Sequence, residues 1–244
     1  MSLATTLVDT SAAPATIHIS AHLTDNDTGV ASVGARFITG PDFHVIDVQA
    51  GLWLKSGTVN DGIFEGDLVV PRYYRRGFWE LSVGVRDTAG NEDQVYGDRL
   101  AGIGAPPGFT QTGADDTAPP VIRSVAVSPG PVDTSTAPAA VTVTVRATDD
   151  LSGVFLDSTS WNSMNMVTLV SPSQQYASAV LQLASGDDHD GTLVGQVTLP
   201  LHSEQGTWTL QYVNVYDRAG NTAAQPAGPL PTVEVTRTGG SGGA

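Results

Sequence analysis

An internal repeat constrains the fold of this chain more than any other feature of its sequence. Residues 8–30 read VDTSAAPATIHISAHLTDNDTGV, and 124 positions later residues 132–154 read VDTSTAPAAVTVTVRATDDLSGV, with 11 of 23 residues identical and no gap. Residues 60–92 and 189–222 form a second matched pair. Each copy is long enough to bury a core of its own. We therefore predict domains at residues 1–114 and 115–238, followed by a flexible Gly-rich tail at 239–244.

The matched segments have the residue pattern of half-buried β-strands. Val141, Val143 and Val145 alternate with polar residues, and Ile17 and Ile19 do the same in the first copy. A period of two places one face of a strand in a core. The chain contains 27 glycines and 15 prolines, and turn signals recur about every 8 to 12 residues. These features predict an all-β fold with almost no helix, made of two tandem immunoglobulin-like Greek-key β-sandwiches.

The offset between the copies predicts a local irregularity in one strand. It is 129 between Trp79 and Trp208, but 130 between Asp87 and Asp217. A single inserted residue turns every later side chain to the opposite face unless a bulge absorbs it. We therefore predict a β-bulge between Trp208 and Asp217.

The beginning of the first copy is shorter than that of the second. An offset of 124 places the counterpart of Asp116 eight residues before the first residue of the chain. We expect the first domain to contain only part of its first strand. The chain is thus predicted to be a fragment of a longer array.

Charge and composition narrow the classes of partner. The net charge is −14, from 25 acidic and 11 basic side chains, which disfavours nucleic acids and anionic membranes. No run of 18 apolar residues is present, so no membrane insertion is expected, and the N-terminus lacks a signal-peptide pattern. Cysteine is absent, so the fold depends on packing alone. The expected partner is a protein or a glycan at a surface.

Acidic and amide side chains follow the strands at matching positions in both copies. In a sandwich of this topology the loops that carry them meet at one end, together with the start of the first strand. Carboxylate oxygens from several loops can supply the six to eight ligands that Ca²⁺ requires. One interpretation is a calcium site at the domain junction, with candidate ligands Asp25, Asp27, Asp87, Asn91, Asp115, Asp116, Asp149, Asp150, Asp217 and Asn221.

Turn chemistry is a second interpretation of the same residues. An aspartate at the start of a turn accepts hydrogen bonds from backbone N–H groups that follow it. Gly29 and Gly153, and likewise Gly90 and Gly220, would supply left-handed turn positions. The sequence alone leaves both interpretations open for Asp25, Asp149, Asp87 and Asp217.

The loop PRYYRRG, residues 71–77, is a candidate contact surface. It contains Arg72, Tyr73, Tyr74, Arg75 and Arg76, whereas the equivalent loop PLHSEQG, residues 200–206, has no arginine. We predict that these residues bind a protein partner or the second domain. The alternative is a solvated loop whose tyrosines pack against their own strand ends.

The remaining aromatic residues divide into core and surface candidates. Trp79 and Trp208 alternate with Leu81 and Leu210, which predicts that both indoles lie in the core. Exposed aromatic rings can also bind sugars. Trp53, Trp161 and Tyr176 are therefore the candidates for a carbohydrate-binding face, in an accessory region of a secreted enzyme.

No arrangement of residues in the sequence predicts catalysis. Among the histidines His18, His22, His44, His189 and His202, only the first two share a strand face. Residues i and i+4 of a strand lie about 13 Å apart, too far to share zinc. Nucleophile-elbow and phosphate-loop motifs are absent. We expect that the chain is not an enzyme.

Two signatures resemble those of bacterial extracellular immunoglobulin-like repeats of the HYR and Big type. They are TDxxSGV, at Asp149–Val154 and, with Thr28 in place of serine, at Asp25–Val30, and GxWxL…DxAGN, at Gly77–Asn91 and Gly206–Asn221. The resemblance implies a non-catalytic structural or adhesive role on a surface or secreted protein. The segment DDTAPP is similar to the linker of cadherins, which implies calcium between domains.

Overall fold

The computed structural model describes residues 1–39, 46–156 and 165–237. The chain divides into two compact units, Met1–Asp116 and Thr117–Ala244. This boundary lies two residues after the one we predicted. The predictions for the tail at 239–244, for His44 and for Trp161 fall outside the described residues.

The described residues of the first unit form one curled sheet and one short helix, α1 (Asp98–Gly102). Its strands follow the order β1-β3-β6-β5-β4-β7-β9-β2, and β8 also pairs with β7. The bounds are β1 (Ser2–Leu3), β2 (Leu7–Val8), β3 (Ala15–Thr24), β4 (Val30–Thr39), β5 (Ile46–Gly57), β6 (Asp61–Val70), β7 (Gly77–Asp87), β8 (Glu92–Tyr96) and β9 (Gly108–Gln111).

Strand β5 joins the two halves of this sheet. Its first residues pair with β4, and its last residues pair with β6. Side chains from both halves form one core, in which Ile17, Phe37, Leu68 and Trp79 are fully buried. The alternation that predicted β3 is confirmed, because its buried and exposed residues alternate along the strand.

The second unit contains two separate sheets around one core. Their strand orders are β10-β12-β16-β15 and β11-β18-β17-β13-β14. The bounds are β10 (Val121–Ser128), β11 (Pro131–Asp133), β12 (Ala139–Thr148), β13 (Met166–Val170), β14 (Tyr176–Val180), β15 (Gln182–Gly186), β16 (Asp190–Leu199), β17 (Gly206–Asn214) and β18 (Thr232–Thr236). Strands β14 and β15 together occupy the place that β5 fills in the first unit.

The predicted β-bulge is confirmed at Gln211. Leu169 pairs with Leu210, whereas its neighbour Thr168 pairs with Tyr212, so Gln211 has no partner on β13. Leu210 and Val213 are both buried, as are the equivalent Leu81 and Val83 in the first unit, which has no such bulge at this place. The bulge thus absorbs the extra residue and returns the apolar side chains to the core.

The core positions of the two matched tryptophans are also confirmed. Trp79 and Trp208 are 0% and 2% exposed. Each indole N–H donates to a carbonyl of the preceding loop, that of Arg75 at 3.1 Å and that of Glu204 at 2.9 Å. This bond satisfies the polar atom that burial would otherwise leave unpaired.

Among the described residues the structure is all-β apart from α1, as the composition predicted. None of the described helices is long and apolar enough to cross a membrane.

Candidate functional site

The loops that follow β3 and β12 are each closed by an aspartate. Oδ1 of Asp25 accepts the backbone N–H groups of Asp27 at 2.9 Å and Gly29 at 2.8 Å. Oδ1 of Asp149 accepts the N–H of Gly153 at 2.6 Å. Gly29 and Gly153 have φ values of 86° and 84°, which favour glycine. One oxygen of each carboxylate therefore has the role that turn chemistry predicts.

A second pair of loops is closed by an aspartate and an asparagine. Oδ1 of Asp87 accepts the backbone N–H of Asn91 at 2.8 Å, and Oδ2 accepts its side-chain amide at 2.6 Å. Asp217 and Asn221 repeat both bonds at 2.8 and 2.7 Å. Each carboxylate is therefore held from both oxygens by one asparagine.

The two loops of each unit lie side by side. The N–H of Thr88 donates to the carbonyl of Gly29 at 3.0 Å, and the N–H of Arg218 donates to that of Gly153 at 2.9 Å. In the first unit Asp25, Asp87 and Asn91 line one cavity of about 310 Å³. The structure thus gathers the predicted acidic residues of this unit at one end.

Equivalent carboxylates differ in burial between the units. Asp149 and Asp217 are buried at 7% and 2% exposure, whereas Asp25 and Asp87 are only half-buried. The hydrogen bonds of Asp149 and Asp217 are therefore shielded from water, and breaking them costs more free energy than breaking those of Asp25 and Asp87.

The candidate calcium ligands include one compact group. Asp149 and Asp150 are neighbours in the loop that follows β12, and each offers a carboxylate oxygen within 4.8 Å of the other. Asp116 and Asp149 are buried and Asp150 is exposed. Carboxylates at this spacing repel one another, and a bound cation would offset that repulsion.

The other predicted ligands are placed differently. Oδ2 of Asp115 accepts the backbone N–H of Arg76 at 3.1 Å. Asp27 is exposed on its loop. Asp188, which lies beside Gly153, accepts a bond from the guanidinium of Arg218. An arginine therefore neutralises part of the acidic charge of this end in the second unit.

The pKa of Asp87 provides a test of the asparagine contact. The side-chain amide of Asn91 holds the pKa of Asp87 below its usual value, and backbone N–H groups of the loop add to the effect. A carboxyl whose pKa is lower in the folded state stabilises the fold above its unfolded pKa, and this contribution is lost as the pH falls through the folded pKa.

We expect Asn91→Ala to raise the pKa of Asp87 toward the ordinary value of about 3.9. The loss of stability on acidification should also become smaller. Carboxyl carbon NMR titration measures the pKa directly. Asn26→Ala, in the other loop, is the control and should leave the Asp87 titration unchanged. An unshifted Asp87 in Asn91→Ala would refute the assignment.

The loop at residues 71–77 separates into buried and exposed members. Tyr74 is buried at 4% exposure and stacks on Trp79 with ring centroids 5.6 Å apart. Tyr73 has φ of 60°, and the guanidinium of Arg72 lies 4.2 Å above its ring. Tyr74 therefore packs against its own unit, as the alternative interpretation stated. The role of Arg72, Tyr73, Arg75 and Arg76 in partner binding stays a prediction.

The histidines of β3 pair with carboxylates of the neighbouring strand. Nδ1 of His18 lies 2.8 Å from Asp67, and Nε2 of His22 lies 2.7 Å from Asp61. All four side chains are substantially exposed. These are cross-strand surface pairs, and Arg146 and Asp190 form the corresponding pair in the second unit.

The surface aromatic residues include one very open indole. Trp53 is 77% exposed on β5, and Tyr176 is 62% exposed on β14. Sequence reasoning missed three glycines beside Trp53, namely Gly34, Gly51 and Gly84, which form one row across neighbouring strands. A glycine inside an alternating strand was the available signal, because it marks a close approach or a missing side chain.

No family model matches the chain, and no curated protein matches it. Two solved structures show weak similarity. Dimeric latent PorU from Porphyromonas gingivalis is 15% identical with a TM-score of 0.33, over 97% of this chain and 23% of that one. A leucine-rich repeat protein from Bacteroides thetaiotaomicron VPI-5482 is 12% identical with a TM-score of 0.20, over 91% of this chain and 25% of that one. The chain thus spans about a quarter of the length of either structure.

Proposed function

We propose that this chain is a non-catalytic structural or adhesive segment of a bacterial surface or secreted protein, built from two immunoglobulin-like β-sandwiches. The observation that carries the proposal is that strands near the two ends of each unit pair in parallel. Strand β2 pairs with β9 in the first unit, and β11 pairs with β18 in the second.

The strand order of the second unit supports the immunoglobulin-like part of the proposal. One sheet has the order β10-β12-β16-β15, and the other contains β18-β17-β13-β14. These correspond to the ABED and GFCC′ orders of such sandwiches. Strands β10 and β11 divide the first strand between both sheets. The repeated signatures of the two copies support the same assignment for the first unit.

Parallel pairing near the ends determines how a unit resists tension. When the ends are pulled apart, two parallel strands slide along each other, and their hydrogen bonds are loaded together rather than one after another. In the first unit Thr110 and Thr112 donate to the carbonyls of Thr6 and Val8 at 2.8 Å. In the second, Glu234 donates to the carbonyl of Gly130 at 3.1 Å. This geometry suits a segment that transmits force between its neighbours.

Single-molecule pulling tests the proposal directly. We expect Thr112→Pro and Glu234→Pro to lower the unfolding force of the first and second unit respectively, because each removes one N–H donor of the parallel pair. Forced unfolding depends on the unfolding barrier, so the loss should appear in the force distribution.

A core deletion is the matched control. Leu68 is fully buried in β6, and Leu68→Ala should cost about 2 to 5 kcal/mol of stability. We expect it to lower the melting temperature more than Thr112→Pro does, and the unfolding force less. If the proline variants unfold at the force of the native chain, the proposed mechanical role is wrong.

The adhesive part of the proposal concerns the loop at residues 71–77. Arg72 and Arg76 are exposed there on a chain of net charge −14. These two guanidinium groups would attract carboxylates of a protein partner locally, although the net charge of the chain opposes binding to a strongly acidic surface.

The acidic loop of the second unit that contains Asp149 and Asp150 favours a second candidate function, which is calcium binding. Calcium would offset the repulsion between the two carboxylates and would bind only the folded state, which raises stability. Asp150 is the most informative member. It is exposed and has Asn26 as its counterpart in the first unit.

We expect calcium to raise the melting temperature of the native chain above its value with a chelator. At a calcium concentration of about 100 times Kd, the gain is about 2.7 kcal/mol. Asp150→Asn, which installs the residue of the first unit, should abolish the gain and leave the melt in chelator nearly unchanged. Equal melting temperatures with calcium and chelator would remove calcium from the proposal and leave the mechanical role intact.

A further inference from the structure

The outer face of the first unit contains a strip without side chains. Gly51 on β5 pairs with Gly34 on β4, and Gly34 pairs with Gly84 on β7. A Cβ placed on Gly34 or Gly84 would meet no heavy atom within 4 Å. Because neighbouring strands are about 4.8 Å apart, the three glycines form a bare strip that extends about 10 Å across the strands.

The strip continues into a cavity beside β8. Gly84 pairs with Gln94, and in the adjacent row Ser32 pairs with Arg86, which pairs with Glu92. These residues line a cavity of about 550 Å³. Its walls carry a hydroxyl, a guanidinium, a carboxylate and an amide, which together offer both hydrogen-bond donors and acceptors.

Trp53 lies at the β5 end of the strip, away from the cavity beside β8. Val33 pairs with Leu52, so the next residues along the two strands, Ser32 and Trp53, continue on the exposed face. The indole leans over Gly51, since a Cβ at Gly51 would stand 3.5 Å from its ring. The missing side chain therefore lets a 77% exposed indole rest on the sheet.

The second unit shows that the fold does not require this strip. The positions that correspond to Gly51, Gly34 and Gly84 are Val180, Met166 and Asn214, which pair across β14, β13 and β17. All three side chains there are half-buried and fill the surface. The glycine row is therefore a property of the first unit and not of the sandwich architecture.

The charges on this face and on the whole chain disfavour an anionic ligand. Arg36 lies 3.1 Å from Asp47, and Arg86 lies 3.7 Å from Glu92, so both arginines are paired with carboxylates. The chain carries a net charge of −14, which repels polyanions. A neutral ligand rich in hydroxyl groups, with one flat C–H face for the indole, matches the remaining chemistry.

We propose that this face of the first unit binds a neutral polysaccharide chain. The C–H face of one sugar stacks on Trp53, the next sugars lie over Gly34 and Gly84, and hydroxyls reach Arg86, Glu92 and Gln94 in the cavity. This activity goes beyond the proposed mechanical role and does not depend on it.

The test is native gel electrophoresis of the full chain in gels that contain one soluble polysaccharide each. The neutral probes are a β-glucan, a xylan, a mannan and a galactan, and polygalacturonate is the acidic probe. We expect at least one neutral probe, and not polygalacturonate, to retard the native chain. Trp53→Ala and Gly84→Asn should each weaken that binding by about tenfold or more.

The variants are chosen so that the fold survives. Trp53 is exposed, and Gly84→Asn installs the residue of the second unit in open space. Tyr176→Ala removes an exposed ring from the other unit and should leave retardation unchanged. The inference is overturned if no neutral probe retards the native chain, if Trp53→Ala and Gly84→Asn still bind, or if Tyr176→Ala alone abolishes binding.

Discussion

Replacing Trp208 by alanine is expected to lower the free energy of unfolding by about 3 to 5 kcal/mol. The indole is 2% exposed in the core of the second unit, and its N–H donates to the carbonyl of Glu204. Alanine would leave a cavity and would also leave that carbonyl without its donor. Urea unfolding followed by circular dichroism measures the change.

An exposed tryptophan serves as the control for this experiment. Trp53→Ala removes the same side chain from a surface position and should change stability by no more than about 0.5 kcal/mol. Trp208→Phe keeps most of the apolar volume but loses the indole N–H, so its cost should fall between the two. If Trp208→Ala and Trp53→Ala were equally stable, Trp208 would not have the packing role that we assign to it.

The second large effect is expected at Asp217. Asp217→Ala removes the carboxylate that accepts the backbone N–H and the side-chain amide of Asn221. Because Asp217 is 2% exposed and Asn221 is half-buried, water reaches the donors that are left behind less easily than at a surface position. Unsatisfied buried donors cost about 1 to 3 kcal/mol.

The first unit provides the matched comparison for Asp217. Asp87→Ala breaks the same two bonds, but Asp87 is half-buried and Asn91 is exposed, so water can replace the carboxylate. We expect Asp217→Ala to cost clearly more than Asp87→Ala in thermal and urea unfolding. A larger cost at Asp87 would show that burial does not govern the strength of this contact.

Several features followed from the sequence because they depend on neighbouring residues along the chain. The period of two in residues 15–24 and 139–148 determined which faces are buried. The change of offset from 129 to 130 determined that a bulge was needed, and the structure places it at Gln211. The turn role of Asp25 and Asp149 was one of two interpretations that the sequence left open, and the glycine four residues later was the local signal for it.

Other features could not be read from the sequence because they depend on long-range pairing. Nothing in the duplicated TDxxSGV signature distinguishes Asp149, which is buried, from Asp25, which is not. Tyr74 appeared equivalent to its neighbours in a basic loop, yet it stacks on Trp79. Burial of this kind is decided by which distant segments pack against a residue.

The sequence by itself determined that this protein consists of two copies of one all-β unit, with acidic turns at matching positions. Hydrophobic periodicity and turn chemistry act within a few residues, so both can be read from the order of residues in a single sequence. Only the tertiary structure decided that Gly34, Gly51 and Gly84 form a single row, and that Ser32, Arg86 and Glu92 stand beside it. These residues are far apart in sequence, and they become neighbours only because antiparallel pairing aligns β5, β4, β7 and β8 in one register.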